Sequence, residues 1–312
     1  MSRRLLAGLA GAGAALGAAA ALAAAAFWAE TATTLTAAAA PDWTPPGVTA
    51  TVIAKTEGGV AGFVRPSGSY RVYASFADTG NPASGLASAT SDSTELTAAS
   101  GAQALTATGG PWTVDGVAYT HRSASLSVDG GASAGARTYA LTPADAAGNA
   151  AASTGHGVTV DATAPAATDV QTANGGATAG RPEAGDSITF TFSEPLDAES
   201  VLSGWTGAAT PVVVRISNGF LVANDTLAVR NAANTASLPL TPSELTLGNA
   251  FYVNADTTFG ASGTASTMTL SGSTITVVLG TPSATATTGG AGTMSWTPGT
   301  ALRDRAGNTV PG

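Results

Sequence analysis

Residues 139–165 read YALTPADAAGNAAASTGHGVTVDATAP and carry the clearest fold signal in this chain. On both sides of the central turn, large apolar residues alternate with small or polar ones, as in YAL at 139–141 and VTV at 158–160. This period of two is typical of half-buried strands. The turn itself, DAAGN at 145–149, offers an acidic acceptor for local backbone hydrogen bonds and a glycine that adopts positive φ without steric cost. The stretch therefore predicts two antiparallel strands joined by a turn.

The same turn recurs as DRAGN at 304–308, which indicates two units that close on the same hairpin. The run DAAGN followed by VTVDATAP resembles the last hairpin and exit segment of bacterial immunoglobulin-like domains, which occur in tandem on secreted and surface proteins. ITFTFSEPLD at 188–197 resembles the opening strand of the S-layer type of these domains. The resemblance implies β-sandwich folds and a structural or interaction role.

We therefore predict an all-β fold of two tandem immunoglobulin-like β-sandwich domains after an N-terminal signal segment. The predicted parts are a signal peptide and Ala/Thr-rich segment at 1–40, a Pro-rich stem at 41–47, a first domain at 48–160, a linker at 161–168 and a second domain at 169–312. Alternation and turn residues predict strands at 48–54, 70–77, 86–90, 118–122, 126–128, 137–141 and 158–160 in the first domain. In the second they predict strands at 188–192, 211–216, 226–230, 244–247, 267–270, 274–279 and 293–296.

The N-terminus has the pattern of a secretory signal. Arg3 and Arg4 precede an uncharged, Ala-rich stretch at 5–28, and A-x-A cleavage sites occur at 24–26 and 37–39. We expect a secreted protein, either free or associated with the cell surface. An uncleaved membrane anchor is the alternative, because the stretch is long enough to span a bilayer.

Composition excludes several kinds of chemistry. The chain of 312 residues has no cysteine, so disulfides, thiolate metal sites and cysteine nucleophiles are absent. Its net charge of −8 opposes the phosphate contacts that drive nucleic-acid binding. The expected partner is an unknown protein or glycan at the cell surface, and contact with a membrane is expected only through an uncleaved N-terminal segment.

No catalytic or cofactor-binding residue is assigned, and the protein is predicted not to be an enzyme. Residues 131–135 read GASAG and match the G-x-S-x-G pattern around Ser133, but a nucleophile elbow needs a preceding strand, a following helix and a triad. A hairpin loop is the preferred interpretation here. His121 and His156 are the only histidines, and they lack the spacing of a metal-binding pair.

Calcium at the domain junction is considered because tandem extracellular domains present oxygen ligands there. Asp145, Asp161 and Asp169 lie close together in sequence, and Asn149 offers a carbonyl. Ca²⁺ needs six or more oxygens, and no dense acidic run supplies them. No metal site is therefore assigned, and calcium at the junction stays an open question.

Two tryptophans next to loop signals give the alternative function, a carbohydrate-binding accessory module of the cell envelope. Trp112 and Trp205 would form its sugar-stacking platform if exposed, whereas burial in the core is the preferred interpretation.

The chain ends four residues after Asn308, which is fewer than a typical strand. The edge beside 293–296 is therefore expected to lack a neighbouring strand. Residues 281–288 cover it, a partner or second copy pairs with it, or the last hairpin is simply short and frayed.

Overall fold

The fold is described from a computed structural model, which covers residues 41–97, 101–220 and 223–312. It is all-β, with 42% strand and 2% helix. The strands form two large curled sheets that share no strand, together with one small hairpin. We call residues 41–160 unit 1 and residues 161–312 unit 2. Within the described residues, no helix has the length and apolarity that a membrane crossing requires.

Unit 1 contains eleven strands. They are β1 (Gly47–Lys55), β2 (Phe63–Val64), β3 (Ser69–Ala77), β4 (Leu86–Asp92), β5 (Gln103–Thr106), β6 (Trp112–Val114), β7 (Val117–Tyr119), β8 (His121–Ser123), β9 (Leu126–Ser127), β10 (Gly135–Asp145) and β11 (Ser153–Val160). The large sheet has the order β1-β3-β8-β5-β4-β10-β11-β2, with β9 also paired to β3. β6 and β7 form the separate hairpin. The sheet curls until β1 also contacts β11 and β2, which nearly closes it.

Unit 2 contains eight strands and one helical turn. They are β12 (Ala167–Ala173), β13 (Ser187–Phe192), α1 (Ala198–Val201), β14 (Thr210–Ser217), β15 (Thr226–Asn231), β16 (Leu245–Thr246), β17 (Thr257–Phe259), β18 (Ser266–Ser271) and β19 (Thr274–Val278). The sheet order is β12-β13-β19-β18-β14-β15-β16, and β17 also pairs with β14. All these pairings are antiparallel.

Each unit has its own apolar core inside the curl of its sheet, because alternate residues of every strand point inward. Tyr70, Val72 and Ala74 of β3 are fully buried in unit 1, as the alternation predicts. In unit 2, the alternating residues Ile188, Phe190 and Phe192 of β13 are buried in the core. Burial of these large side chains is the main favourable term for folding, at about 1.5–3 kcal/mol for each.

The structure confirms an all-β fold and most of the predicted strands, including the 145–149 turn between antiparallel β10 and β11. Three details differ. The predicted strand 118–122 is interrupted, because β7 pairs with β6 while β8 pairs with β3 and β5. β12 begins inside the predicted linker. The predicted strand 293–296 makes only one bridge, between Ser295 and Thr246.

The predicted cover for the edge at 293–296 is wrong. Residues 281–288 lie elsewhere, beside β17, where Pro282 bridges Phe259 and the Ser283 N–H donates to the Thr258 carbonyl at 2.7 Å. The segments on either side of the C-terminal turn form no strand pair among the described residues and meet at an isolated bridge between Arg303 and Thr309. The last hairpin of unit 2 is thus shorter than β10–β11 in unit 1.

Candidate carboxylate sites at the ends of the two units

Each unit begins with an aspartate that lies against the closing turn of the same unit. In unit 1, the Asn149 side-chain amide donates to the Asp42 carbonyl at 2.9 Å. In unit 2, the Asn308 amide donates to the Asp161 carbonyl at 3.0 Å. The D-x-A-G-N turn therefore joins the beginning of a unit to its end, which explains why both units carry it.

The turn is held by its own aspartate. Asp145 accepts the Asn149 backbone N–H on one carboxylate oxygen and the Asn149 side-chain amide on the other, both at 2.8 Å. Asp304 accepts the equivalent bonds from Asn308 at 2.8 and 2.7 Å. The glycine before each asparagine has a positive φ, 91° at Gly148 and 95° at Gly307, which residues with a Cβ adopt only at a cost.

A third carboxylate reaches each turn from the end of the second strand of the sheet. Asp78 follows β3 directly, and Glu194 follows β13 by two residues. The result is two clusters whose carboxylate oxygens lie within 4.8 Å of one another. We call Asp42, Asp78 and Asp145 the proximal cluster, and Asp161, Glu194 and Asp304 the junction cluster.

The proximal cluster is well supplied with hydrogen-bond donors. Asp42 accepts the Thr44 N–H at 3.0 Å on one oxygen, and both the N–H and the hydroxyl of Ser84 at 2.8 Å on the other. These bonds hold the pKa of Asp42 below its ordinary value, with Thr44 the largest contributor. Asp78 accepts the backbone N–H groups of Gly80 and Gly85. The arrangement favours the ionised form of Asp42.

The negative charges of the junction cluster are less well compensated by hydrogen-bond donors. One carboxylate oxygen of Glu194, Oε1, is buried and has no hydrogen-bond partner in the part of the chain that the structure describes. Burial, followed by the charges of Asp161 and Asp304, raises the pKa of Glu194 to about 7. Burial also raises the pKa of Asp304, although Asn308 and Gly307 donate to its carboxylate. The cluster therefore changes its protonation near neutral pH.

Carboxylate oxygens are the ligands that hard divalent cations prefer, so either cluster could hold such an ion. Each supplies three carboxylates, against the six to eight oxygens that Ca²⁺ takes. Asn149 and Asn308 turn their amide nitrogens toward the carboxylates, so they act as donors there rather than as ligands. A bound cation would reduce the repulsion between the carboxylates of either cluster. A proton would do the same at the junction cluster.

Around the junction cluster, side chains of unit 1 contact the closing turn of unit 2. Lys55, the only lysine of the chain, donates from Nζ to the Val60 carbonyl at 3.0 Å and to the Arg305 carbonyl. The Arg305 guanidinium lies 4.2 Å from the centre of the Phe63 ring. Burial lowers the pKa of Lys55. The two units are thus connected by side chains as well as by the chain itself.

Asp145, Asp161 and Asp169, which lie close together in sequence, are not brought together in the structure. Asp145 belongs to the proximal cluster and Asp161 to the junction cluster, because they lie at opposite ends of β10 and β11. Asp169 lies in neither, since it is on β12 and accepts a bond from Gln171 at 2.9 Å.

Sequence reasoning missed Asp42, Asp78 and Glu194, and it read Asp304 only as a turn residue. A signal for the first was present: both units begin with Asp-x-Thr, at 42–44 and 161–163. In each case the threonine N–H donates to the aspartate carboxylate at 3.0 Å.

The other candidate residues lie apart from these clusters. Ser133 is in an exposed loop that leads into β10, so no helix follows it, and its hydroxyl accepts from Arg137 at 2.7 Å. His121 packs edge-on against Phe76, and burial lowers its pKa. His156 contacts the Ser153 hydroxyl at 3.0 Å.

The two tryptophans named from the sequence are packed rather than free. Trp205 is only 5% exposed and belongs to the core of unit 2, as the preferred interpretation predicted. Trp112 is half-buried, with the Arg122 guanidinium 4.4 Å from the centre of its ring. Trp43, which the sequence did not single out, is 79% exposed beside the proximal cluster.

No known protein-family model matches the chain, and no curated protein matches it. The immunoglobulin-like resemblance therefore rests on the short motifs and on an all-β architecture that is compatible with it.

Proposed function

We propose that the chain is a secreted or cell-surface bacterial protein of two tandem immunoglobulin-like domains. It acts as a structural and interaction module, of the adhesion type, and carries out no catalysis. Its partner is a protein or a glycan at the cell surface.

The observation that carries this proposal is the repeated docking of a closing turn on the beginning of its own unit. Asn149 and Asn308 make the same bond to Asp42 and Asp161. A unit that fixes its own first residues also fixes the direction from which the chain enters. Repeats of this kind suit an extended, stiff arrangement that holds a surface at a distance from the cell.

The contacts across the junction support the same role. Linked domains move relative to each other unless their interface is substantial. Here Lys55 contacts Arg305, and Arg305 stacks on Phe63. These contacts add to the short connection through Asp161 and favour a fixed orientation of the two units.

A second candidate function is the binding of carbohydrate, and Trp43 favours it. An indole ring that is 79% exposed offers the flat apolar surface on which sugar rings stack. Trp112 and Trp205, the tryptophans first considered for this role, are packed against protein groups.

Fractionation of the producing bacterium tests the proposed location. We expect the protein at the cell surface or in the medium, without residues 5–28. A chain that begins at residue 1 or 2 in the soluble intracellular fraction would contradict the proposal.

A glycan array separates the two candidate functions. Wild type and Trp43→Ala are compared, with Phe251→Ala as a matched control because Phe251 is also an exposed aromatic residue. Binding that only Trp43→Ala removes would establish the carbohydrate-binding module and overturn the protein-directed one.

A further inference from the structure

An open groove separates the two ends of the second sheet. At one end, β12 pairs only with β13 among the described strands. At the other end, Ser295 exchanges both backbone hydrogen bonds with Thr246 of β16, each at 3.0 Å. The groove between them has a volume of about 500 Å³ and is lined by residues 167–171 on one side and 292–294 with Trp296 on the other.

The walls of this groove present backbone groups. In an extended chain, the peptide groups of neighbouring residues point in opposite directions. Because Ser295 directs its N–H and C=O toward Thr246, Met294 and Trp296 direct theirs toward the groove. The outer edge of β12 does the same from the other side. Two facing rows of this kind form the template for one missing strand.

The groove differs in depth along its length. Near its Ala173 end it meets a cavity of about 140 Å³, whose apolar wall includes Ile188, Leu227 and Leu279. Gly292 and Met294 line both spaces, so the two are adjacent.

Toward the other end, the Trp296 ring fills the interior. Its centre lies 5.0 Å from that of Phe190 and 5.2 Å from that of Phe192. A strand in the groove therefore finds room for one larger apolar side chain at the cavity and for small side chains elsewhere.

We propose that this groove binds residues 31–37 of a second copy of the chain as an added β-strand, with Leu35 in the cavity. The proposal requires a mature chain that keeps residues 31–37, as cleavage at the 24–26 site would leave it.

The sequence of residues 31–37, TATTLTA, has the required chemistry. It is uncharged and rich in threonine, which favours strands. Leu35 is its only large apolar residue. The cavity of about 140 Å³ is large enough for its side chain, because apolar cavities of about 150 Å³ bind small apolar groups. With Leu35 facing inward, residues 31, 33 and 37 face the same side, and all three are Thr or Ala.

The short chain between Leu35 and Pro41 excludes binding within the same molecule and leaves a second copy as the source of the strand. Pro41 and Asp42 lie at the proximal end of unit 1, and β1 takes nine residues to arrive at the junction, about 30 Å away. The cavity lies farther still, near the end of β12. The six residues from Leu35 to Pro41 span at most about 20 Å. Leu35 therefore cannot enter the cavity of its own chain.

The test uses the full chain as the producing cells release it, with its N-terminus determined by intact mass. Analytical ultracentrifugation over a concentration series compares wild type, Leu35→Arg and Thr34→Arg. Thr34 is the matched control, because its side chain faces away from the cavity in the proposed strand. Hydrogen exchange of the Met294 and Trp296 amides is followed in the same samples. Both substitutions precede Pro41, the first residue that the structure describes, and the circular dichroism spectrum of each variant verifies its fold.

We expect wild type and Thr34→Arg to associate, and Leu35→Arg to weaken association about tenfold or more. Exchange at Met294 and Trp296 should slow with concentration in the first two proteins only. The proposal is overturned by a released chain that lacks residues 31–37, by a monomer at every concentration, or by protection that does not depend on concentration. Association that persists in Leu35→Arg would also overturn it, and would indicate pairing between β12 strands.

Discussion

The proximal and junction clusters are built on the same turn, yet they differ in how their charges are compensated. In the proximal cluster, each of the three aspartates accepts hydrogen bonds from neighbouring donors, and the pKa of Asp42 is lowered. In the junction cluster, Glu194 has a buried oxygen without a donor, and its pKa is raised to about 7. The proximal cluster thus provides a donor for each carboxylate, whereas the junction cluster leaves one oxygen of Glu194 without one.

The difference comes from the loop that surrounds the turn rather than from the turn itself. Ser84 and the N–H groups of Gly80 and Gly85 belong to the loop after β3, and they face Asp42 and Asp78. At the junction, Lys55 of unit 1 lies against the closing turn, but it bonds to the carbonyls of Val60 and Arg305 rather than to carboxylates. A repeated motif thus fixes geometry, while its neighbours decide the charge state.

Removal of the turn aspartate gives the largest expected effect. Asp145→Ala leaves the Asn149 N–H and amide without their acceptor, and we expect it to cost unit 1 about 3 kcal/mol of unfolding free energy. Asp304→Ala should cost unit 2 less at pH 8, because it also removes repulsion on Asp161 and Glu194. Native-state hydrogen exchange resolves the two units. An equal or larger loss for Asp304→Ala would mean that the junction carboxylates do not repel one another.

The glycines of the two turns give the next effect. Gly148→Val forces a β-branched residue to positive φ, and we expect a loss of about 1–3 kcal/mol in unit 1. Gly307→Val should cost unit 2 a similar amount, because its φ of 95° is equally unfavourable for a β-branched residue and a Cβ there meets Lys55 at an ordinary contact distance of 3.5 Å.

Gly157→Val is the control for these substitutions. Gly157 lies in β11 with no atom within 4 Å of a Cβ and without a positive φ. Thermal melts of the three variants should therefore show a normal transition only for Gly157→Val. A normal melt for Gly148→Val would show that the turn tolerates a β-branched residue.

The dependence of stability on pH gives a smaller effect, with a sign set by Glu194. Its pKa rises from an ordinary 4.5 to about 7 on folding, so the folded state holds the proton more strongly. The contribution of Glu194 to the unfolding free energy of unit 2 should therefore be greatest below about pH 4.5. It should fall as the pH rises to about 7. Denaturation between pH 5 and 8 measures it.

Glu194→Gln and Asp78→Asn sharpen this comparison. Glu194→Gln should remove most of the pH dependence and stabilise unit 2 at pH 8. Asp78→Asn should instead destabilise unit 1. The NH₂ group of the new side chain would face a backbone N–H group that now donates to the Asp78 carboxylate, so two donors would meet. Stabilisation by both substitutions would show that the two clusters are equally strained.

The sequence predicted the fold class and most strands because β3, β10 and β13 combine clear alternation with well-defined turns. It did not predict β12 as a strand, since this edge strand is mostly exposed and lacks an apolar period. The turn was recognised from DAAGN alone. Its partners were not, because Asp78 and Glu194 come from distant loops that only the sheet topology brings to the turn.

The central claim is that the closing turn of unit 2 holds the two units in one orientation. Residual dipolar couplings of backbone amides in both units, measured in one weakly aligning medium, test it most directly. The account predicts that a single alignment tensor fits the couplings of residues 47–160 and 167–310 together. Two tensors that differ in orientation or magnitude would contradict it, because they would show that the units move independently despite the contacts of Lys55, Arg305 and Asn308.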